Sequence, residues 1–275
     1  MKNAQGKHAV VTGGSSGIGL AVCKEFARRG MSVSILARNA EKLAQAKAEI
    51  EGEFPVAVYA HPCDVVDAQG LEQVISEIGA AHGIDYLVCN AGVMQCGRVD
   101  ENSVESLRRT MEVNYFGALN AYKAGIEVMK VQGSGQIGFV SSVAGYLGAI
   151  GYGAYSPGKF AVAGLAECVR MEAADYGVGI TIGYPPDTDT PMLAWERENT
   201  LPECRAISKN AKLQTPEAVA EKLVRAMLRN KFEVFFDVNS KFIRFFKVLW
   251  PRMYFKSLDG IVRKDRKRRK QNGHA

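Results

Sequence analysis

No Cys-x-x-Cys pair occurs among the six cysteines, Cys23, Cys63, Cys89, Cys96, Cys168 and Cys204. That absence argues against a structural zinc site and a disulfide framework, and no metal ligand set is expected. It predicts reduced thiols in a cytosolic setting. The segment from Met1 to His8 is polar and has no apolar stretch, so no secretory leader is expected. No apolar run reaches the length of a membrane span. There is no internal repeat and no low-complexity linker before residue 260. What remains is a core-forming composition of 275 residues, 47% apolar and 23% charged, which excludes disorder throughout and collagen-like structure. Charge is unevenly placed. The net value is +6, yet residues 241–275 carry +10 and residues 1–240 carry −4. The basic character belongs to the C-terminal end, so no nucleic-acid face is expected on the main fold.

Short β-branched runs alternate with longer amphipathic ones through the first 240 residues. Strands are predicted at His8–Thr12, Ser32–Ala37, Val56–Ala60, Tyr86–Cys89, Gln136–Ser141, Gly179–Gly183 and Glu233–Phe236. Each is nearly continuous in apolar residues, as befits strands covered on both faces. Helices are predicted at Ile18–Arg29, Ala40–Glu51, Ala68–Ala81, Val104–Lys130, Ala154–Tyr176 and Pro216–Arg229. The alternation predicts an α/β fold, a Rossmann-type doubly wound parallel sheet in the order 3-2-1-4-5-6-7. Residues 1–240 read as one dinucleotide-binding catalytic domain and 241–275 as an extension. The long irregular stretch at 184–215 reads as a lid.

The first strand runs into Thr12-Gly13-Gly14-Ser15-Ser16-Gly17-Ile18-Gly19. A glycine turn between strand and helix brings main-chain N–H groups to a pyrophosphate; the plain alternative is a glycine-rich turn. Gly13, Ser15, Ser16, Gly17, Ile18 and Gly19 are the candidates. At the end of the second strand stands Arg38, with Lys42 one turn on. This pair suits the 2′-phosphate of NADP(H), or else is a solvated basic pair. Asp64 is placed for an adenine amino group, or forms a turn. Small residues in Asn90-Ala91-Gly92 let backbone pass close to a cofactor. Asn114 falls inside a predicted helix, where an amide is unfavourable unless used: either a local break with a bound water or a surface position. Tyr155 and Lys159 share a helix face, with Ser142 thirteen residues before Tyr155. An ammonium near a phenol lowers its pKa, and Ser142 can hold a carbonyl.

These elements, in this order, resemble the short-chain dehydrogenase/reductase family over residues 6–237. The resemblance implies Tyr155 as acid/base, Lys159 as ribose binder and pKa modulator, Ser142 as carbonyl positioner, and Asn114 as support for a relay water. Two departures stand out. Ser156-Pro157-Gly158 follows the tyrosine, and Pro157 is acceptable only in a first helical turn. After the sixth strand the usual Pro-Gly is replaced in Tyr184-Pro185-Pro186-Asp187-Thr188-Asp189-Thr190-Pro191. That string is similar to a subgroup that reduces the 3-keto group of long-chain sphingoid bases with NADPH, as are Ala37-Arg38-Asn39 and Phe139-Val140-Ser141-Ser142-Val143-Ala144-Gly145. By the same resemblance Thr188 and Thr190 meet the nicotinamide carboxamide, with Pro185 beside them, and a keto-lipid chain passes Met94, Tyr146, Met192 and Leu193. Other family substrates (steroid, retinoid or acyl chain) and a non-catalytic NADP(H)-binding protein are the competing readings. A dimer or tetramer through 104–130 and 154–176 is also implied.

Lys241 to Lys256 holds ten apolar residues, six of them aromatic, and five basic ones. Phe242, Phe245, Phe246 and Leu249 follow helical spacing, with Lys241, Arg244 and Lys247 on the other side, up to a stop or kink at Pro251. The run Arg263–Lys270 adds seven cations and one acid. This composition predicts membrane-surface contact through 241–270, with packing on the body or a subunit contact as the alternatives. Related eukaryotic enzymes carry an anchor before the catalytic part; with none at this start, a cytoplasmic, peripherally bound form is expected.

Overall fold

A computed structural model describes residues 6–209 and 211–272. Residues 1–5 of the polar start, residue 210 of the expected lid and residues 273–275 of the tail lie outside the described residues. Among the described residues, seven parallel strands form one sheet in the order β3-β2-β1-β4-β5-β6-β7, as the alternation predicts. They are β1 (His8–Thr12), β2 (Ser32–Ala37), β3 (Val58–Pro62), β4 (Tyr86–Cys89), β5 (Gly135–Val140), β6 (Val178–Tyr184) and β7 (Glu233–Phe235). All five residues of β1 are buried, because helices cover both faces. α1 (Gly17–Ala27), α2 (Ala40–Glu53) and α9 (Pro216–Leu228) cover one face. α3 (Ala68–His82), α5 (Gly117–Gln132) and α6 (Tyr155–Ala174) cover the other. Phe139 at the sheet centre is fully buried, and truncating such a ring to alanine costs about 3–5 kcal/mol.

Three expectations about the fold need correction. β3 starts two residues later than Val56, because α2 runs on to Glu53 and Phe54–Val56 makes the turn. β3 is the edge strand, so its last residue can be Pro62, whose missing N–H costs no ladder bond. The helix expected over 104–130 is interrupted: α4 (Val104–Met111) passes through a π-turn at Glu112–Phe116 before α5 begins. The stretch 184–215 is not irregular. It contains α7 (Pro191–Asn199) and α8 (Pro202–Ser208), each opening on a proline at the position where no N–H bond is owed.

α10 (Val238–Leu249) kinks at Trp250 into α11 (Pro251–Gln271), so the polybasic run is helical. Arg244 and Lys247 do not face solvent. Arg244 pairs with Glu233 and lies over the Tyr184 and Phe235 rings, while the Lys247 ammonium donates to the Tyr146 carbonyl at 2.6 Å. The aromatic side is the one left open, with Phe242 60% and Phe245 56% exposed. Cation–π and charge-assisted contacts turn Arg244 and Lys247 inward, while Lys241 stays exposed. No helix among the described residues is long and apolar enough to cross a membrane.

Candidate active site

At the carboxyl end of β1 the chain turns through Gly13 and Gly17, both at positive φ (+67° and +55°), a conformation that favours glycine. Gly19 answers a different constraint: a Cβ there would stand 2.2 Å from the Gly13 carbonyl oxygen. The turn is therefore pressed against the first turn of α1. Ser16 at the helix start makes no side-chain cap bond, so the helix opens on main-chain N–H groups free for an anion. Asn90 locks the turn from the next strand end, its amide donating to the Thr12 carbonyl at 3.0 Å and the Gly13 carbonyl at 3.3 Å.

Past β5, Ser142 caps a short 3-10 turn. Its hydroxyl accepts from the Ala144 N–H at 3.1 Å and donates to the Pro185 carbonyl at 3.4 Å. Tyr155 opens α6 and is 7% exposed; Lys159, one turn on, is 4% exposed. Pro157 sits in that first turn, where it is tolerated. Burial pushes the Tyr155 phenol well up, with a hydrogen bond to Ser142 pulling the other way. Burial draws the Lys159 ammonium down to about 8. Its Nζ donates to the Val140 carbonyl at 2.9 Å and stands 5.7 Å from the Tyr155 ring centre. The Ser141 hydroxyl bonds the Lys159 carbonyl at 2.9 Å, which pins α6 to the sheet.

Asn114 is 1% exposed and lies in the π-turn, so it is neither a surface residue nor part of a regular helix. Its amide is used twice by one partner: the Val93 N–H donates to Oδ1 at 2.8 Å, and Nδ2 donates to the Val93 carbonyl at 2.9 Å. It fastens the segment after Gly92 to the helix and stands behind the cavity wall. Gly158 makes this possible, since a Cβ there would come within 3.1 Å of the Asn114 Cβ.

The arrangement agrees with comparison to known proteins. Residues 7–201 match the short chain dehydrogenase family. The chain belongs to that family. A 3-dehydrosphinganine reductase from Danio rerio is 41% identical over 82% of this chain and 70% of its own. A 3-ketodihydrosphingosine reductase from Dictyostelium discoideum is 32% identical over 94% and 83%. Among solved structures, an NAD(P)-dependent gluconate 5-dehydrogenase type protein from Beutenbergia cavernae, with bound NADP, is 28% identical at a TM-score of 0.77, covering 85% of this chain and 96% of that one. This family member is thus an oxidoreductase that works with a nicotinamide cofactor.

The residues present fit that cofactor. One cavity of about 970 Å³ runs along the carboxyl ends of the strands. It is lined by Gly13, Ser15, Ser16, Gly17, Ile18, Gly19, Arg38, Lys42, Asp64, Asn90, Ala91, Gly92, Ser142, Tyr155, Lys159, Pro185, Thr188 and Thr190. Of the catalytic residues expected at the site, Asn114 is held back from it. The Asp64 carboxylate accepts from the Val66 N–H at 3.1 Å, so it forms its own turn, and lies 4.0 Å from Arg38. The Thr188 hydroxyl donates to the Pro186 carbonyl at 2.8 Å. Thr190 caps α7 and packs on Gly17.

Met94, Met192 and Leu193 line the same cavity, joined by Ile207, Phe242 and Ile243. Tyr146 does not. It is buried with its hydroxyl on the Ser240 carbonyl at 2.9 Å, so it anchors α10 instead of guiding a chain. Sequence reasoning missed Tyr152 and Glu196, which meet in this cavity through a hydrogen bond from the phenol to the carboxylate. The three-residue spacing from Tyr152 to Tyr155 was the available signal for the first. Nothing local marks the second, because its partner lies 44 residues away.

Proposed function

We propose that this protein reduces the 3-keto group of 3-ketodihydrosphingosine with NADPH. The observation that carries the reading is the continuity of one cavity. It joins the Ser142–Tyr155–Lys159 group to an apolar end lined by Met192, Leu193, Ile207 and Phe242, on a chain 41% identical to a 3-dehydrosphinganine reductase. Gly13, Ser15 to Gly19 and Asn90 to Gly92 hold the dinucleotide, and Pro185, Thr188 and Thr190 form the wall beyond the diphosphate. Arg38 and Lys42 take the 2′-phosphate, because an arginine stands at the end of β2, the lysine follows one turn on, and both line the cavity. When bound, NADPH supplies the hydride for the carbonyl carbon. Ser142 holds the carbonyl oxygen, and Tyr155 gives it a proton. Burial keeps that phenol protonated at neutral pH, which suits an acid. Lys159 supplies a positive charge beside the phenolate left behind, and Asn114 keeps the Gly92–Val93 wall in place.

The open aromatic side of α10 and α11 serves a bilayer surface. Phe242, Phe245, Val248, Leu249, Trp250 and Met253 are each about half exposed or more, and Lys241, Arg252, Lys256 and Arg263 to Lys270 supply cations around them. Phe242 belongs to both the open side and the cavity lining, so a chain drawn from a membrane enters at that point. Phe116, Val131, Met171 and Tyr176 on the outer faces of the 104–132 and 155–176 segments are exposed, and a homodimer or tetramer forms there. Anionic vesicles should pull down the wild type but not Phe245→Glu/Trp250→Glu; a lone dimer lost in that variant, with no vesicle binding, would instead assign the face to a second copy.

The deciding assay follows NADPH or NADH oxidation with 3-ketosphinganine in micelles. Turnover with NADPH and little with NADH supports the reading. Intact NADPH binding without turnover of this ketone moves the substrate to another member of the ketone class.

A further inference from the structure

The substrate proposed above carries an amine on the carbon next to its ketone. At neutral pH that amine is an ammonium, and it must enter the cavity within two bonds of the carbonyl that Tyr155 protonates. A cation held so near the reacting atoms needs an anion in the wall.

Glu196 on α7 is such an anion. Its carboxylate lines the cavity, and among the described residues no lysine, arginine or histidine pairs with it. The Tyr152 hydroxyl donates to Oε1, which fixes the carboxylate and leaves its other oxygen free. Tyr152 packs edge-on to Tyr155, their ring centres 6.3 Å apart. Glu196 is thus one side chain removed from the reacting phenol, on the side of the cavity formed by α7 and α8. Burial holds its carboxyl above the ordinary range, and the charge on Asp187 adds to this, while Tyr152 and Arg197 work the other way. A carboxylate so placed is partly desolvated and has no ion-pair partner in the free protein, and an ammonium ligand relieves that cost.

We propose that Glu196, oriented by the Tyr152 hydroxyl, receives the C2 ammonium of the 3-keto sphingoid base and so determines which ketones this enzyme accepts. The inference rests on the substrate reading of the preceding section. It assigns to α7 a task beyond lining the cavity: this helix carries the group that tells an amino ketone from a plain long-chain ketone. Asp187 lines the same cavity, but no aromatic side chain links it to Tyr155, so it adds only background negative charge.

The test compares 3-ketosphinganine with its analogue lacking the C2 amine, in the same micelles, for wild type, Glu196→Gln and Tyr152→Phe. Wild type should prefer the amino ketone. Glu196→Gln should lose about 10–100-fold in kcat/KM on the amino ketone, mostly through KM, the range expected for one hydrogen bond to a charged group. On the analogue it should change by less than about threefold, as expected where that bond is never made. Tyr152→Phe should shift the same ratio in the same direction by less. NADPH binding and melting temperature, followed in parallel, confirm a folded cofactor site. Equal losses on both ketones, or an unchanged preference in Glu196→Gln, would overturn the assignment while leaving the substrate reading intact. Should Glu196→Gln not fold, an unchanged ratio in Tyr152→Phe overturns it as well. A wild type that reduces only the analogue, or neither ketone, removes the substrate reading and this inference with it.

Discussion

On one side of the cavity Tyr155 and Lys159 project from α6, each less than a tenth exposed, and buried bonds from Lys159 to Val140 and from Ser141 to Lys159 fix them to the sheet. On the other side lies a cover of α7 and α8, with α11 packed on the back of α8. It is fastened by Glu203, which pairs with Arg266 at 2.9 Å and Arg269 at 2.8 Å, guanidinium groups that reach solvent. The floor is held by hydrogen bonds that water cannot compete for. The cover is held by ion pairs that water and salt can weaken. Chemistry needs fixed groups, whereas a long substrate needs a wall able to part, and the two kinds of fastening divide along that line.

The largest effect should come from the floor. Tyr155→Phe removes the proton donor and little else, so ketone reduction should fall by about 10²–10⁴-fold while NADPH fluorescence titration stays as in wild type. Undiminished turnover would break the comparison at its root, because the buried phenol would then have no task.

Lys159 tests whether the floor is as dry as its burial says. Its ammonium is drawn down to about 8 from 10.5. Between those values the folded protein binds fewer protons than the unfolded chain, so stability rises with pH. The penalty is full below pH 8 and gone above 10.5. At about 1.4 kcal/mol per pH unit the span amounts to roughly 3 kcal/mol. Lys159→Met removes the titrating group. The unfolding free energy of wild type minus that of the variant should therefore climb by roughly 3 kcal/mol from pH 7 to pH 11 in urea titrations. A flat difference would mean the ammonium is solvated. Activity should follow the same group: wild-type reduction should decline above about pH 8 as the charge is lost.

A smaller effect is expected at the adenosine end, which is open to solvent. The Arg38 side chain is 57% exposed and meets Asp64 only at 4.0 Å. Arg38→Ala should weaken NADPH binding by about fivefold and leave NADH binding unchanged, since an exposed charge contributes about 1 kcal/mol. Equal weakening of both cofactors would sharpen the picture differently, making Arg38 a wall and not a phosphate reader.

The same division governs what the residues disclosed before any coordinates. The strand order, the turn from Gly13 to Gly19 and the Tyr155–Lys159 pair are set by local periods and spacings, which a sequence displays. Asn114 was visible as an anomaly. Its π-turn was not, because the cause lies in Val93, 21 residues away in the chain. Two short helices were hidden in 184–215, since a seven-residue helix has too few turns to show a period. The face that α10 turns inward was legible only as two sides of unequal chemistry. Which side docks depends on Glu233, Tyr146 and Tyr184, residues of three other elements.

Glu203 gives the smallest expected change and the most direct test of the cover. Its carboxylate is mostly buried, which alone would raise its pKa, but Arg266 and Arg269 hold it below the ordinary range. A carboxylate depressed in this way stabilises the fold above the pKa of the unfolded chain, and the contribution is lost as pH falls through the lower folded value. Because both arginines are partly solvated, Glu203→Gln should cost no more than about 1 kcal/mol at pH 7, and progressively less as the pH falls below the ordinary carboxylate range. The local consequence should exceed the global one. Proteolysis or amide exchange in α8 and α11 should speed up about fivefold, as about 1 kcal/mol of local opening implies, while β4 and β5 exchange as before. Added salt should produce the same pattern in the wild type and little further change in the variant. If exchange instead accelerated across the whole sheet, the cover would be part of the core, and the contrast between a fixed floor and a movable wall would have to be abandoned.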